Sequence, residues 1–185
     1  NVNDITYDLN GNIQSLTRYT HRELLGATDL ISTITKIDQL SYQYENNSPN
    51  RLSNVDDAGH PFMGFKDGSK ATGAEYDYDQ NGNMNRDDNK GITLIEYNDL
   101  NLPKEITFAN GNRILYYYDA AGIKIRKVVE EQIEGSTATT TTYYEGSLQF
   151  TEKQGYPDPA DNHARMLDFI MTDEGRAVPG TSVGD

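Results

Sequence analysis

Between Asp77 and Asp88 the chain reads DYDQNGNMNRDD. Side-chain oxygens fall at the first, third, fifth and ninth positions (Asp77, Asp79, Asn81, Asn85), glycine at the sixth (Gly82) and a carboxylate at the twelfth (Asp88). This is the ligand order of a calcium loop, in which hard oxygens surround the ion and glycine permits the sharp bend. Such a loop closes on a bidentate glutamate and lies between helices. Here an aspartate closes it, and the alternation of Tyr76 and Tyr78 points to a strand. Two sister segments also lack the first ligand, with Thr6 and Tyr117 in the place of Asp77. The copies share Tyr, Asp and a turn, so the expectation is a structural turn and no metal.

Other chemistry is no better supplied. His21, His60 and His163 fall in expected loops with no nucleophile at a recognised spacing, and no Gly-x-Ser-x-Gly, His-Glu-x-x-His or phosphate-cradling loop is present. The pairs Asp56-Asp57, Asp87-Asp88 and Glu130-Glu131 are adjacent in sequence, so a strand sends their members to opposite faces, which suits solvation better than acid–base work. No catalytic residue, no cofactor and no enzymatic activity are expected. Tyrosines beside Asn and Asp can also stack on sugar rings. Strand alternation puts Tyr116 and Tyr118 on one face and Tyr117 on the other, so one set is exposed or covered by a neighbouring chain. These are the residues for a carbohydrate- or surface-binding alternative. Phe62, Met63 and Phe65 are expected to tuck over the sheet as a plug, the sharper alternative being an aromatic ligand platform.

The elements that must position these residues are repeats. Tyr7-Asp8-Leu9-Asn10-Gly11-Asn12 recurs nearly verbatim as Tyr78-Asp79-Gln80-Asn81-Gly82-Asn83, and Tyr78, Tyr97 and Tyr118 follow one another at spacings of 19 and 21 residues. That period fits one β-hairpin-sized unit, which cannot bury its own face and must stack on neighbours. Asn10-Gly11, Asn81-Gly82 and Ala121-Gly122 are expected at strand-to-strand turns with glycine at positive φ. Four segments result. Residues 1–55 hold repeats around an irregular excursion at 21–36, and 56–74 form a Gly-rich, linker-like insertion. Residues 75–128 are the central tandem repeats. Residues 129–185 carry a long exposed hairpin over the threonine run, a loop over 153–165, a last strand over 166–171 and a frayed tail from Pro179.

Composition narrows the partners. The 185 residues carry a net charge of −13, and the densest basic run, Lys124, Arg126 and Lys127, is diluted by Glu130 and Glu131. Polyanions need clustered Lys and Arg, so nucleic acid is excluded as an expected partner. With no cysteine, neither a disulfide framework nor a thiolate zinc site can form. No apolar run approaches the roughly 20 residues of a spanning helix. Thirteen tyrosines against five phenylalanines imply a thin core of amphipathic rings. The first residue is Asn1, and no charged-then-apolar leader precedes Ile5, so the chain is read as processed or cut from something longer.

The ordered series Tyr7-Asp8…Gly11-Asn12, Tyr78-Asp79…Gly82-Asn83 and Tyr118-Asp119…Gly122 resembles the YD repeats of the RHS (rearrangement hotspot) family. The ending MLDFIMTDEGR is similar to the strand and turn leading into that family's core region. The resemblance implies an all-β, predominantly antiparallel sheet, curved like a segment of a shell, in a secreted or cell-surface bacterial protein of the polymorphic-toxin kind. The chain stops before the Asp-His-Leu-Gly-Asn type core motif and shows no self-cleaving protease segment or effector, so shell closure and toxin release do not carry over. The implied role is a structural or interaction segment whose sheet edges meet neighbouring repeats or another copy of the chain.

Overall fold

A computed structural model describes residues 1–23, 32–60, 62–68 and 73–180. The fold is all-β and antiparallel, and the chain divides into two units, Asn1–Gly91 and Ile92–Asp185. The division falls inside the 75–128 segment delimited from the repeats.

In the first unit, β1 (Val2–Tyr7), β2 (Ile13–Glu23), β3 (Ser32–Glu45) and β4 (Ser48–Asp57) form a sheet in sequence order. The strands of β2 and β3 stay paired from Ser15↔Ser41 out to Glu23↔Ser32. Half of the expected excursion at 21–36, residues 21–23 and 32–36, is therefore paired strand. Residues 24–31, with Leu24, Leu25, Leu30 and Ile31, lie outside the described residues. The β-branched run from Ser32 onward favours the pleated strand over a loop. A short hairpin follows, β5 (Tyr76–Tyr78) and β6 (Met84–Asp87), then a single 3-10 turn over Asp88–Lys90. Asp87 caps that turn by accepting from Lys90 N–H, and Gly91 ends it in the left-handed region at φ 65°.

The core of this unit is Leu40, Val55 and Tyr76, with Leu16, Tyr42, Leu52, Phe65, Tyr78 and Met84 packed around it. Period-two alternation along β3 brings Asp38, Leu40, Tyr42 and Tyr44 to one side. The plug expectation holds in part. Phe65 packs on the core, but Phe62 is 85% exposed. Phe62 instead meets the His60 ring edge-on, with centroids 6.2 Å apart.

The second unit is a meander in which each strand pairs with the next: β7 (Ile92–Tyr97), β8 (Pro103–Phe108), β9 (Arg113–Tyr118), β10 (Lys124–Ile133), β11 (Ser136–Glu145), β12 (Leu148–Gln154), β13 (His163–Thr172) and β14 (Gly175–Ala177). Arg113 joins three strands by pairing with Glu105 at 3.0 Å and Glu130 at 2.8 Å. The threonine run forms the expected long hairpin, but not an exposed one. Ala138 is fully buried and Thr142 nearly so, and the 155–162 loop folds back beside Thr137 and Ala138. The Tyr156 hydroxyl there donates to Glu131 at 2.8 Å and lies 2.7 Å from the Thr140 hydroxyl. Two further expectations are corrected. β13 begins at His163 rather than Met166, so His163 is on a strand, and β14 adds a strand beyond the one expected to be last. The tail is described to Gly180; residues 181–185 lie outside.

Candidate functional site

The repeated hexapeptide folds as a five-residue turn that recurs with one hydrogen-bond pattern. Asp8 N–H donates to Asn12 O while Gly11 N–H donates to Asp8 O. The same two bonds close the turns Asp79–Asn83, Asn98–Leu102, Phe108–Asn112 and Asp119–Ile123. The fourth residue lies at positive φ each time: 86° at Gly11, 88° at Gly82, 56° at Asn101, 85° at Gly111 and 81° at Gly122. This bears out the three turn expectations and adds two turns the hexapeptide did not reveal. Asparagine tolerates the left-handed region because its short polar side chain bonds locally.

The first residue explains why Asp or Asn stands after Tyr. Asp79 Oδ1 accepts from the Asn81 and Asn83 amides at 2.9 and 2.8 Å, and Oδ2 from the Asn83 carboxamide at 3.0 Å. Asp8 does the same with Asn10 and Asn12, and Asn98 and Asp119 accept from the amides two and four residues on. The Asn12 carboxamide and backbone bonds hold the Asp8 carboxyl below its ordinary range. At Asp79 burial pushes upward, but the Asn83 side chain and turn amides outweigh it and the net shift is down.

The three carboxylates of the calcium-loop pattern, Asp77, Asp79 and Asp88, are thus spent on the protein itself. Asp77 accepts from Arg86 Nε at 2.6 Å, and Asp88 pairs with Arg86 Nη1. That guanidinium is raised above its ordinary value first by Asp77 and then by Asp88. Among the described residues no group of three or more His, Cys, Asp or Glu is arranged to hold a metal ion.

The other candidates are dispersed. Asp57 accepts from the Gln39 and Gly59 amides, while Asp56 accepts from Gln43. Buried Asp87 pairs with Lys90 at 2.8 Å, Glu130 with Arg113, and Glu131 with Tyr156. His60 Nδ1 accepts from Phe62 N–H, and the His163 ring lies against Ala164 O. The side chain of His21 lies outside the described residues. None of these three adjacent pairs converges on one partner, and the His60 and His163 rings bond within their own segments.

The tyrosines tie strands together. Tyr78 donates to Leu52 O at 2.9 Å, Tyr118 to Pro103 O at 3.0 Å and Tyr44 to Ile13 O at 2.8 Å. Burial pushes the phenols of Tyr44, Tyr78 and Tyr118 up, away from neutrality. The face division at residues 116–118 is as expected. Tyr116 and Tyr118 have centroids 6.5 Å apart, and Tyr117 lies on the other face, 37% exposed. Cations occupy these rings: Arg126 lies 3.8 Å from the Tyr117 centroid and Lys124 4.6 Å from that of Tyr116.

Phe65 lines three hollows. One of about 280 Å³ is lined by Phe65, Lys66, Tyr76, Asp87, Asn89 and Lys90, one of about 580 Å³ by Phe65 and residues between Asp57 and Gly68, and one of about 420 Å³ by Phe65 with Asp38, Leu40 and Tyr42. Several polar groups of the first are engaged, Asp87 with Lys90 and the Asn89 carboxamide with Glu75 and the Tyr76 hydroxyl.

Sequence reasoning missed the buried acids that hold this region. Asp38, 1% exposed, accepts from Phe65 N–H at 2.6 Å and pairs with Arg18. Glu75 accepts from Val55 N–H and Asn89, both at 2.9 Å. For Asp38 a signal existed: a carboxylate in phase with the apolar face of Leu40, Tyr42 and Tyr44 marks a buried, paired acid.

No family model and no curated protein matches the chain. Among solved structures, it is similar to a TcdB2-TccC3-TEV crystal structure at 14% identity and TM-score 0.48, covering 90% of this chain and 9% of that one. It is similar to the Photorhabdus luminescens Tc holotoxin pore with a substituted TccC3 at 16% and 0.49, covering 90% and 8%. A TcdB2-TccC3 crystal structure follows at 12% and 0.33, covering 91% and 13%. The chain spans about a tenth of the length of those chains. Among the described residues no helix is long and apolar enough to cross a membrane.

Proposed function

We propose that the chain is a structural segment of an RHS/YD-repeat protein, without catalytic activity, of the kind found in secreted or surface-exposed bacterial proteins including polymorphic toxins. The supporting observation is that five turns share one bonding pattern and direct their side-chain acceptors inward, at their own backbone. A residue used this way organises strand pairing and has little left for a ligand. β1 is exposed along all six residues, and β14 along all three. Outer strands of this kind template pairing, so neighbouring repeats or a second copy are the partners proposed.

The carbohydrate alternative needs a free ring face, and Arg126 covers Tyr117. A glycan array on the purified chain tests the proposal. A scaffold segment gives no saturable signal, and a saturable signal lost in Tyr117→Ala would replace it with the binding-module reading.

A further inference from the structure

Three Asn-Gly pairs sit at the tips of the repeated turns: Asn10-Gly11, Asn81-Gly82 and Asn110-Gly111. Asparagine before glycine is chemically labile, because the glycine amide nitrogen can reach the asparagine Cγ without a side chain in the way. We propose that Asn10-Gly11 is a self-modifying site, at which Asn10 converts to aspartate and isoaspartate ahead of the chemically identical pair at Asn110.

The bond changes balance without any oxidant or reductant. The Gly11 amide nitrogen, losing its proton to solvent base, attacks Asn10 Cγ. The carboxamide C–N bond breaks and ammonia leaves, closing a succinimide. Water then adds to one of the two ring carbonyls and breaks that ring C–N bond, giving aspartate or isoaspartate.

Three differences set the order. The Asn10 carboxamide makes no hydrogen bond among the described residues, whereas Asn110 Oδ1 accepts from Asn112 N–H at 3.0 Å and must release it to rotate. The nucleophile is held less tightly at the first site: Gly11 N–H lies 3.2 Å from Asp8 O, against 3.0 Å for Gly111 N–H and Phe108 O. Space around Gly11 is open, while Gln132 crowds Gly111. In addition, β1 is exposed throughout and among the described residues pairs with β2 alone, so opening of its turn is easier than for a turn between two strands of a meander.

The product matters to the fold. Isoaspartate inserts a backbone carbon into the turn and sets a second carboxylate beside Asp8, whose Oδ1 accepts the residue-10 amide. The turn then loosens its hold on β1, and the sheet edge changes with age rather than with a ligand.

The test incubates the whole chain at mildly alkaline pH and follows the peptides containing Asn10 and Asn110 by mass spectrometry with isoaspartate detection. Hydrogen exchange of β1 is measured on the same samples. Conversion is expected to be several-fold faster at Asn10 than at Asn110 and absent at residue 10 in Asn10→Gln. In denaturant the two rates should converge. β1 exchange should rise with conversion in the wild type and stay constant in the variant. Conversion at Asn110 that equals or outruns Asn10 would overturn the order, and unchanged β1 exchange in converted protein would overturn the structural consequence.

Discussion

Residues 58–60 with 62–68 and the Asp119–Ile123 turn both lie between strands, yet they are held in opposite ways. The turn closes on itself, through backbone bonds and an Asp119 oxygen reaching two and four residues on. The longer segment is fixed from far away. Asp38 holds Phe65 N–H across 27 residues, His60 N–H donates to Ile37 O, and Asn89 accepts from Gly68 N–H. Local bonds make a unit that can be repeated without regard to its surroundings. Long-range bonds make a single object that fails at one point.

The largest effect should therefore come from crowding the distant anchor. A Cβ on Gly64 would lie 2.0 Å from Asp38 Oδ1 at a backbone φ of +83°, so Gly64→Ala combines steric overlap with left-handed strain. Denaturant midpoints should show a loss of about 3 kcal/mol. Gly11→Ala is the matched control, with φ +86° and no atom within 4 Å. It should lose only about 1 kcal/mol, the strain alone. Equal losses at both positions would remove the distinction between the two kinds of loop.

A smaller effect separates acceptor from charge. Asp38→Ala leaves a buried Phe65 N–H without its acceptor and should destabilise by about 2 kcal/mol. Asp38→Asn keeps an oxygen for that amide, and Arg18, whose side chain is 46% exposed, can turn to water. Asparagine should restore roughly half of the loss. Failure to restore any would mean the ion pair, not the amide bond, fixes the segment.

The repeated turns give a pH test with an internal control. Asp8 and Asp79 have folded-state values below their ordinary range, so their contribution is fully present above the unfolded value and is lost as pH falls through the folded one. Asn98 makes equivalent bonds and does not titrate in this range. Between about pH 5 and pH 2, amide exchange at Asn12 and Asn83 should accelerate relative to Leu102. Parallel acceleration at all three would show that acid acts on the whole sheet instead of on the turn carboxyls.

The same contrast decides what could be read without coordinates. Tyr, Asp, Asn and Gly at fixed offsets announce the turns because every bond in them lies within five residues. The Phe108–Asn112 turn escaped because phenylalanine opens it and Asn110 supplies the acceptor two residues late. The β-branched run after Ile31 reads as a strand and is one, but the end of β2 at His21–Glu23 was missed because Gly26 and the leucines read as a break, while the register to Glu23↔Ser32 depends on pairing between the two strands. Asp38 shows in the sequence only as a carboxylate in phase with an apolar face, and its partner Phe65 lies 27 residues away, while Glu75 has no such signal and holds Val55 across 20 residues and Asn89 across 14. The calcium-loop pattern had the right oxygens, but their nearest donors are turn amides and Arg86, which a linear pattern does not contain.

The smallest expected effect lies in the second unit, where rings and cations pair on the sheet faces. Arg126 stacks on Tyr117, and Arg165 lies 4.4 and 4.5 Å from the centroids of Tyr143 and Phe150. Arg126 is half-buried, with its Nε sheltered from solvent, and Arg165 is exposed, and each contact is worth about 0.5–1 kcal/mol. Arg126→Gln should cost no more than about 1 kcal/mol, including the lost packing of the arginine stem. Arg126→Gln combined with Gly122→Val should lose the sum of the two single effects, because each turn and each stacked pair is held by its own neighbours. A loss well beyond that sum would show that the meander, too, hangs on shared points, and the line drawn between its local construction and the anchored residues 58–60 and 62–68 would disappear.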